Sequence, residues 1–241
     1  TPPIAGVTRG MNLGNALDAP SEGEWGVTLE AKHFEMIAAA GFDHVRLPVR
    51  FDAHADDEPP YAIEPKFLAR VDWAIDQALS RKLSIIVDLH HYEDLTKSPD
   101  EEAKKFVGLW KQIATHFKSR PKEVLYELLN EPSGALTYEE WNELFPKALA
   151  QVRAVDKDRR VIIDSAFWAS PGELRNTLEV PADPNLIGSF HMYQPILFTH
   201  QGAGSWMPPE YATTGIVFPG PPAQPITPDP AALKVGWVKT W

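Results

Sequence analysis

The chain has 241 residues, 44% of them hydrophobic, with a formal net charge of −10 and a pI near 5.3. That is enough apolar material for one large domain, and an acidic balance of this size repels polyphosphate and anionic lipid, so neither nucleic acid nor a membrane surface is expected. There is no cysteine, which removes disulfides, thiolate metal sites and cysteine nucleophiles from consideration.

Thr1-Pro2-Pro3 lacks the basic and apolar regions of a signal peptide, which suggests a processed or engineered start. No apolar run approaches the roughly 18 residues of a membrane span. The first apolar run, Gly10 to Leu13, leads into a polar stretch. A helix is predicted from about Thr28, with Phe34, Ile37 and Ala38 on one face and Gly41 as its stop. A short strand, His44 to Pro48, precedes a helix striped by Phe67, Val71, Ile75 and Leu79. Ser84 to His90 reads as a strand buried on both faces, followed by a helix carrying Phe106, Trp110, Ile113 and Phe117. A fourth strand runs from Val124 to Asn130. Thr137 and Glu140 then have the spacing of a capping box, and Trp141, Leu144, Phe145 and Leu149 carry the helix they open. Further strands are predicted at Arg160–Ser165 and Asn185–His191. A strand every ~40 residues with a helix between is the pattern of parallel β/α units. Beyond Tyr193 the rhythm breaks: residues 194–241 hold nine of the chain's 23 prolines, and only Ala231 to Trp241 is predicted to form another short helix. The expected fold is therefore α/β, an incomplete TIM-type barrel of about six parallel strands over residues 1–193, with a Pro-rich tail over 194–241 belonging to the same domain.

Polar residues collect where these strands end, the usual address of active sites in β/α barrels. Asn130-Glu131-Pro132 follows an apolar strand, a setting suited to a carboxyl group that must stay protonated. Such a group, paired with a second carboxyl group, is what cleaves glycosidic bonds. As a bare tripeptide it reads more readily as a solvated turn. His90 and His91 end the third strand, and His191 with Tyr193 ends the sixth; either pair could also be a hydrogen-bonded rim. Adjacent strand residues point to opposite faces, so the two histidines are not expected to share an ion and no metal site is predicted. Arg46 is the cation that a buried carboxylate would need. Trp25, Trp168 and Trp206 fall in loops or at strand ends and suit the apolar faces of sugar rings, whereas Trp110 and Trp141 sit on helix stripes and read as core.

The order of these blocks carries more than any one of them. Arg46 on strand two, His90 on three, Asn130-Glu131 on four and His191-Met192-Tyr193 on six resemble glycoside hydrolase family five, the large cellulase family. Arg9-Gly10-Met11-Asn12-Leu13-Gly14-Asn15 and Phe198-Thr199-His200-Gln201-Gly202-Ala203 are similar to its bacterial members, so the resemblance covers essentially residues 8 to 206. It implies an eight-stranded barrel that hydrolyses β-linked glucans or β-glucosides with no cofactor, secreted or periplasmic in location. Glu131 would be the acid/base and Asn130 would bind the sugar 2-hydroxyl. Arg46 and His90 would support charge and sugar, and His191 and Tyr193 would orient the carboxylates. His91, Gln194, Trp25, Trp168 and Trp206 would contact the β-linked oligo- or polysaccharide. The family's nucleophile is a Glu ending strand seven, and no such context follows Tyr193. The sequence therefore predicts that strands seven and eight are absent. A substitute acid would have to come from Glu210 or from Asp88 on the rim; otherwise the chain would be a carbohydrate-binding remnant or gene fragment. An open six-stranded sheet is further expected to pair into a homodimer or larger oligomer through strands one and six.

Overall fold

The computed structural model of the chain describes residues 6–204 and 207–217. The chain divides into two compact units, Thr1–His191 and Met192–Trp241. The first is a half-barrel of six parallel strands in sequential order: β1 (Gly10–Asn12), β2 (His44–Val49), β3 (Ser84–Leu89), β4 (Val124–Glu127), β5 (Val161–Asp164) and β6 (Leu186–Ser189). Between them run α1 (Ala31–Ala39), α2 (Pro65–Ser80), the short α3 (Glu93–Lys97), α4 (Pro99–Phe117), α5 (Tyr138–Val155), the four-residue α6 (Ala166–Ala169) and α7 (Pro171–Asn176). Six strands were expected, and their order is the sequential one that β/α repetition dictates. Among the described residues no helix is long and apolar enough to cross a membrane.

Helix boundaries follow local chemistry. The first helix begins three residues later than Thr28 because Glu30 is extended and its N–H donates to His33 Nδ1 at 3.2 Å, completing a cap. Gly41, at φ +79, ends it as expected, since a left-handed residue just past a helix lets Phe42 N–H return to Ile37 O. The capping box at α5 forms as read: Thr137 N–H donates to Glu140 Oε2 at 2.8 Å and Glu140 N–H donates to Thr137 Oγ1 at 3.4 Å. Gly134, at φ +69, admits no side chain, because a Cβ there would lie 2.6 Å from the Thr96 carbonyl oxygen.

Strand alternation sorts side chains into two layers. Val45, Leu47, Ile85, Val87, Leu89, Val124, Tyr126, Val161 and Ile163 belong to the large core that also contains the buried helix stripes, including Trp110 and Trp141. The opposite, inner face has a small apolar floor of Ile86, Leu125 and Ile162. Two residues further along β3 and β5, Asp88 and Asp164 take the same face, and register sets Asp88 beside Glu127. The inner face is thus apolar at the N-terminal ends of its strands and charged at their C-terminal ends. β1 is exposed throughout and β6 is only partly buried, in contrast to the fully buried β3, β4 and β5.

In the second unit, the expectation that residues after Tyr193 stay irregular is corrected. Ile196–Thr199 is a short α-helix and Pro209–Tyr211 a 3-10 turn. Each follows or opens on a proline, whose fixed φ suits a helix start and is hostile only further in. The helix expected at Ala231 to Trp241 lies outside the described residues.

Replacing Thr137 with Ala removes an N-cap acceptor and is expected to lower stability by about 1 kcal/mol. Urea unfolding of the two proteins measures it; an unchanged midpoint would mean that the cap contributes nothing.

Candidate active site

Arg46 is the hub of the charged layer. Its Nε and Nη2 grip both oxygens of Glu127 at 2.8 and 2.6 Å. Nη2 also lies 2.8 Å from Asp88 Oδ2 and donates to Asn130 Oδ1 at 2.9 Å, while Nη1 donates to Asn12 Oδ1 at 3.1 Å. Four strands are thereby tied to one guanidinium. The forked, planar group does this where an ammonium would not.

The carboxylates around it pay in desolvation. Burial pushes Asp88 up to about 7, against the pull of Arg46 and helped by the charge of Asp164. Asp164 is raised to about 6 by burial and by Glu127, and Glu127 is raised by burial and by Asp88. Each is nearly or wholly inaccessible. Asp88 is therefore no rim acid: it is buried beneath the strand ends, bonded to Arg46 and to His90 Nδ1 at 2.5 Å, and unsuited to attack a substrate.

Glu131 stands just beyond β4, which ends at Glu127 rather than Asn130. Its φ of +48 is rare for a residue with a side chain and turns the chain sharply ahead of Pro132. The turn presents the carboxyl group to an open groove of about 200 Å³, lined also by His90, His91, Asn130, Ser133 and Trp168. Glu131 Oε1 lies 2.6 Å from His191 Nδ1, and Glu131 N–H donates to Asp164 Oδ2 at 3.2 Å. Burial alone would lower the pKa of His191, but its bond to Glu131 and the charges of Asp164 and Glu131 raise it. Burial and Arg46 bring His90 down to about 4, so its imidazole is neutral at physiological pH. Phe167, Trp168 and Ala169 are consecutively left-handed, with φ of +54, +56 and +53, and this coil carries the exposed indole of Trp168 into the groove. Trp25, also exposed, meets His91 edge-on at 5.4 Å.

Arg46, His90, His91, Asn130, Glu131, Trp168, Trp25 and His191 all lie within the first unit, joined by these contacts. Tyr193 and Gln194 belong to the second. There the Tyr193 ring meets His200 at 5.0 Å, and Gln194 Oε1 accepts the Ile196 N–H. Trp206 lies outside the described residues, as does the side chain of Glu210.

Among the described residues two groups are spaced to hold an ion, with one donor atom from each residue within 4.8 Å of the others: Asp18, His90 and His91, and Glu127, Asp164 and His191. The expectation that His90 and His91 face apart is thus corrected. Both lie past the end of β3, where strand alternation no longer applies, and their rings are 4.7 Å apart. Most donors are already spent, Asp18 on the N–H groups of Asn15 and Ala16, His90 on Asp88, and Glu127 on Arg46.

Asp164, Glu127 and Asp18 were not singled out from the sequence. A usable signal existed: Asp88, Glu127 and Asp164 are each the one acid in an apolar strand. A lone acid there needs a buried cation, and Arg46 was at hand.

A family model described as cellulase, glycosyl hydrolase family 5, matches residues 7–218. This chain belongs to the cellulase family. Endoglucanase H of Acetivibrio thermocellus is 39% identical over 197 residues, covering 82% of this chain and 22% of that protein. Endoglucanase A of Ruminococcus albus is 32% identical over 227 residues, covering 82% of this chain and 61% of that protein. Endoglucanase Cel5A of the hyperthermophilic Thermotoga maritima superposes with a TM-score of 0.80 at 46% identity, covering 83% of this chain and 64% of its own. It has been solved with cellobiose and with mannotriose. This cellulase-family chain thus spans less than two thirds of the length of these relatives.

Replacing Arg46 with Met leaves buried Asp88 and Glu127 without a cation and is expected to destabilise the fold by about 3–5 kcal/mol. Without Arg46 both acids hold their protons to still higher pH, so the loss grows from pH 5 to pH 8. Urea unfolding at the two pH values measures it; an equal loss at both would contradict the charge argument.

Proposed function

We propose that this chain acts on β-linked glucans as an endoglucanase-type glycosidase, with Glu131 as its acid/base. The observation that carries this reading is Glu131 itself: a carboxyl group on a strained strand end, opening on a groove and bonded to His191. Protonation of the leaving oxygen calls for a positioned acid within hydrogen-bond reach of it, and a Glu131 that lines the groove with His191 beside it supports that role. Asn130, fixed by Arg46, would hold the sugar 2-hydroxyl. His90 and His91 would donate to further hydroxyls, and Trp25 and Trp168 would stack on pyranose faces. The endoglucanases among the relatives, and the cellobiose and mannotriose bound to Cel5A of T. maritima, support a β-1,4-linked glucan or mannan-type chain. A polymeric substrate of this kind is met outside the cell, consistent with a secreted or periplasmic setting.

Besides Glu131, the groove is lined by one other carboxylate among the described residues, the exposed Glu93. The buried acids are turned to Arg46 and His191. We propose that the chain completes its site by assembling: the exposed backbone of β1 and the half-exposed β6 offer edges to a second copy.

Replacing Glu131 with Gln is expected to cut release of reducing ends from a soluble β-1,4-glucan by about 10²–10⁴-fold while leaving the fold intact. Full turnover in this variant would remove Glu131 from the chemistry. Cello-oligosaccharide binding without turnover by the unaltered chain would leave only a holding role. Sedimentation at micromolar concentration tests the assembly: a dimer is expected, and a stable monomer would rule it out.

A further inference from the structure

The proposed chemistry leaves one buried acid in direct contact with its proton-bearing pair. Asp164 ends β5, is inaccessible to solvent, and is braced from behind by Trp141, whose Nε1–H donates to the Asp164 carbonyl oxygen at 2.8 Å. A single carboxylate oxygen, Oδ2, faces both halves of the pair: it accepts the Glu131 N–H at 3.2 Å and lies 3.4 Å from His191 Nε2. Its other oxygen is buried with no hydrogen-bond partner among the described residues. Pairing of β5 with β6, Asp164 opposite Ser189, brings the chain to His191, whose own N–H is anchored on Ala169 O at 2.8 Å.

We propose that Asp164 is a positioning residue: its carboxylate keeps a proton on His191 Nε2, so that Nδ1 is left to share a proton with Glu131. This rests on the reading of Glu131 as acid/base. When the shared proton is on Glu131, that carboxyl group donates to Nδ1, and the single N–H of the neutral imidazole sits on Nε2 facing the accepting carboxylate of Asp164. Nδ1 then points its lone pair at Glu131 Oε1, 2.6 Å away. The proton between them is held by the pair and by neither group alone. On Glu131 it is ready for a leaving oxygen; on His191 it makes an imidazolium between two carboxylates. Asp164 favours retention of this proton. Among the charges facing the pair, Arg46 on β2 opposes retention, while Asp88 on β3 and Glu127 on β4 reinforce it.

The test uses the whole chain with ¹⁵N-labelled histidine rings and does not need turnover. In the unaltered protein, at pH values where the pair still holds its shared proton, the neutral form of His191 is expected to show the Nε2–H tautomer. Asp164→Asn keeps the shape, removes the charge and adds a donor facing Nε2. The His191 titration midpoint should fall by about one unit or more, since removing an adjacent opposite charge acts in that direction. If the chain hydrolyses glucan, the basic limb of kcat/KM against pH should move down with it, with KM at the optimum little changed. An Nδ1–H tautomer in the unaltered protein, or an unshifted midpoint in Asp164→Asn, would overturn the proposal. The tautomer is read in the unaltered chain, so a variant that misfolds leaves the test standing. Failure of the acid/base reading would show separately, as full turnover in Glu131→Gln.

Discussion

The contact between Arg46 and the buried acids around it is the constraint on which the site depends. Asp88, Glu127 and Asp164 are buried on the inner face of strands that are otherwise apolar, and burial raises the pKa of all three. One guanidinium answers Asp88 and Glu127 directly and reaches Asn12 and Asn130 as well. Because these partners come from or follow β1, β3 and β4, the ion cluster fixes how the strand ends sit. Desolvated ion pairs of this kind are poor sources of net stability, so their presence points to placement of polar groups.

Placement is what the groove needs. Asn130 is held by Arg46 and so fixes the residue before Glu131. Asp164 takes the Glu131 N–H, which helps hold the backbone in its left-handed turn. His90 is held by Asp88 and kept neutral by burial and Arg46. Asn130, Glu131 and His90 are thus each held by a partner beneath the groove, and the strand ends are tied to the core through Trp110 and Trp141, whose indole N–H groups donate to the Leu128 and Asp164 carbonyls. This buried machinery lies in a chain that spans less than two thirds of the length of its endoglucanase relatives.

The sequence alone determined the repeating architecture. Apolar stripes at Phe67, Val71 and Ile75, or at Phe106, Trp110 and Ile113, can bury only as helices, and the runs Ser84–Leu89 and Val161–Asp164 only as strands covered on both sides. Short-range chemistry was equally legible in the Thr137–Glu140 cap and the Gly41 stop, because those contacts lie within a few residues. Family membership was legible in the order of Arg46, His90, Asn130-Glu131 and His191. Tertiary structure decided what depends on distance across strands. The inner face on which Asp88, Glu127 and Asp164 converge arises from register between β3, β4 and β5, which no single segment encodes. His90 and His91 turn toward each other because β3 ends before them, and Asp88 is buried because Arg46, 42 positions earlier in the sequence, draws its charge inward. Charge pairs between distant strands are a property of the folded sheet, and only the fold could show which acid faces the groove and which ones hold it in place.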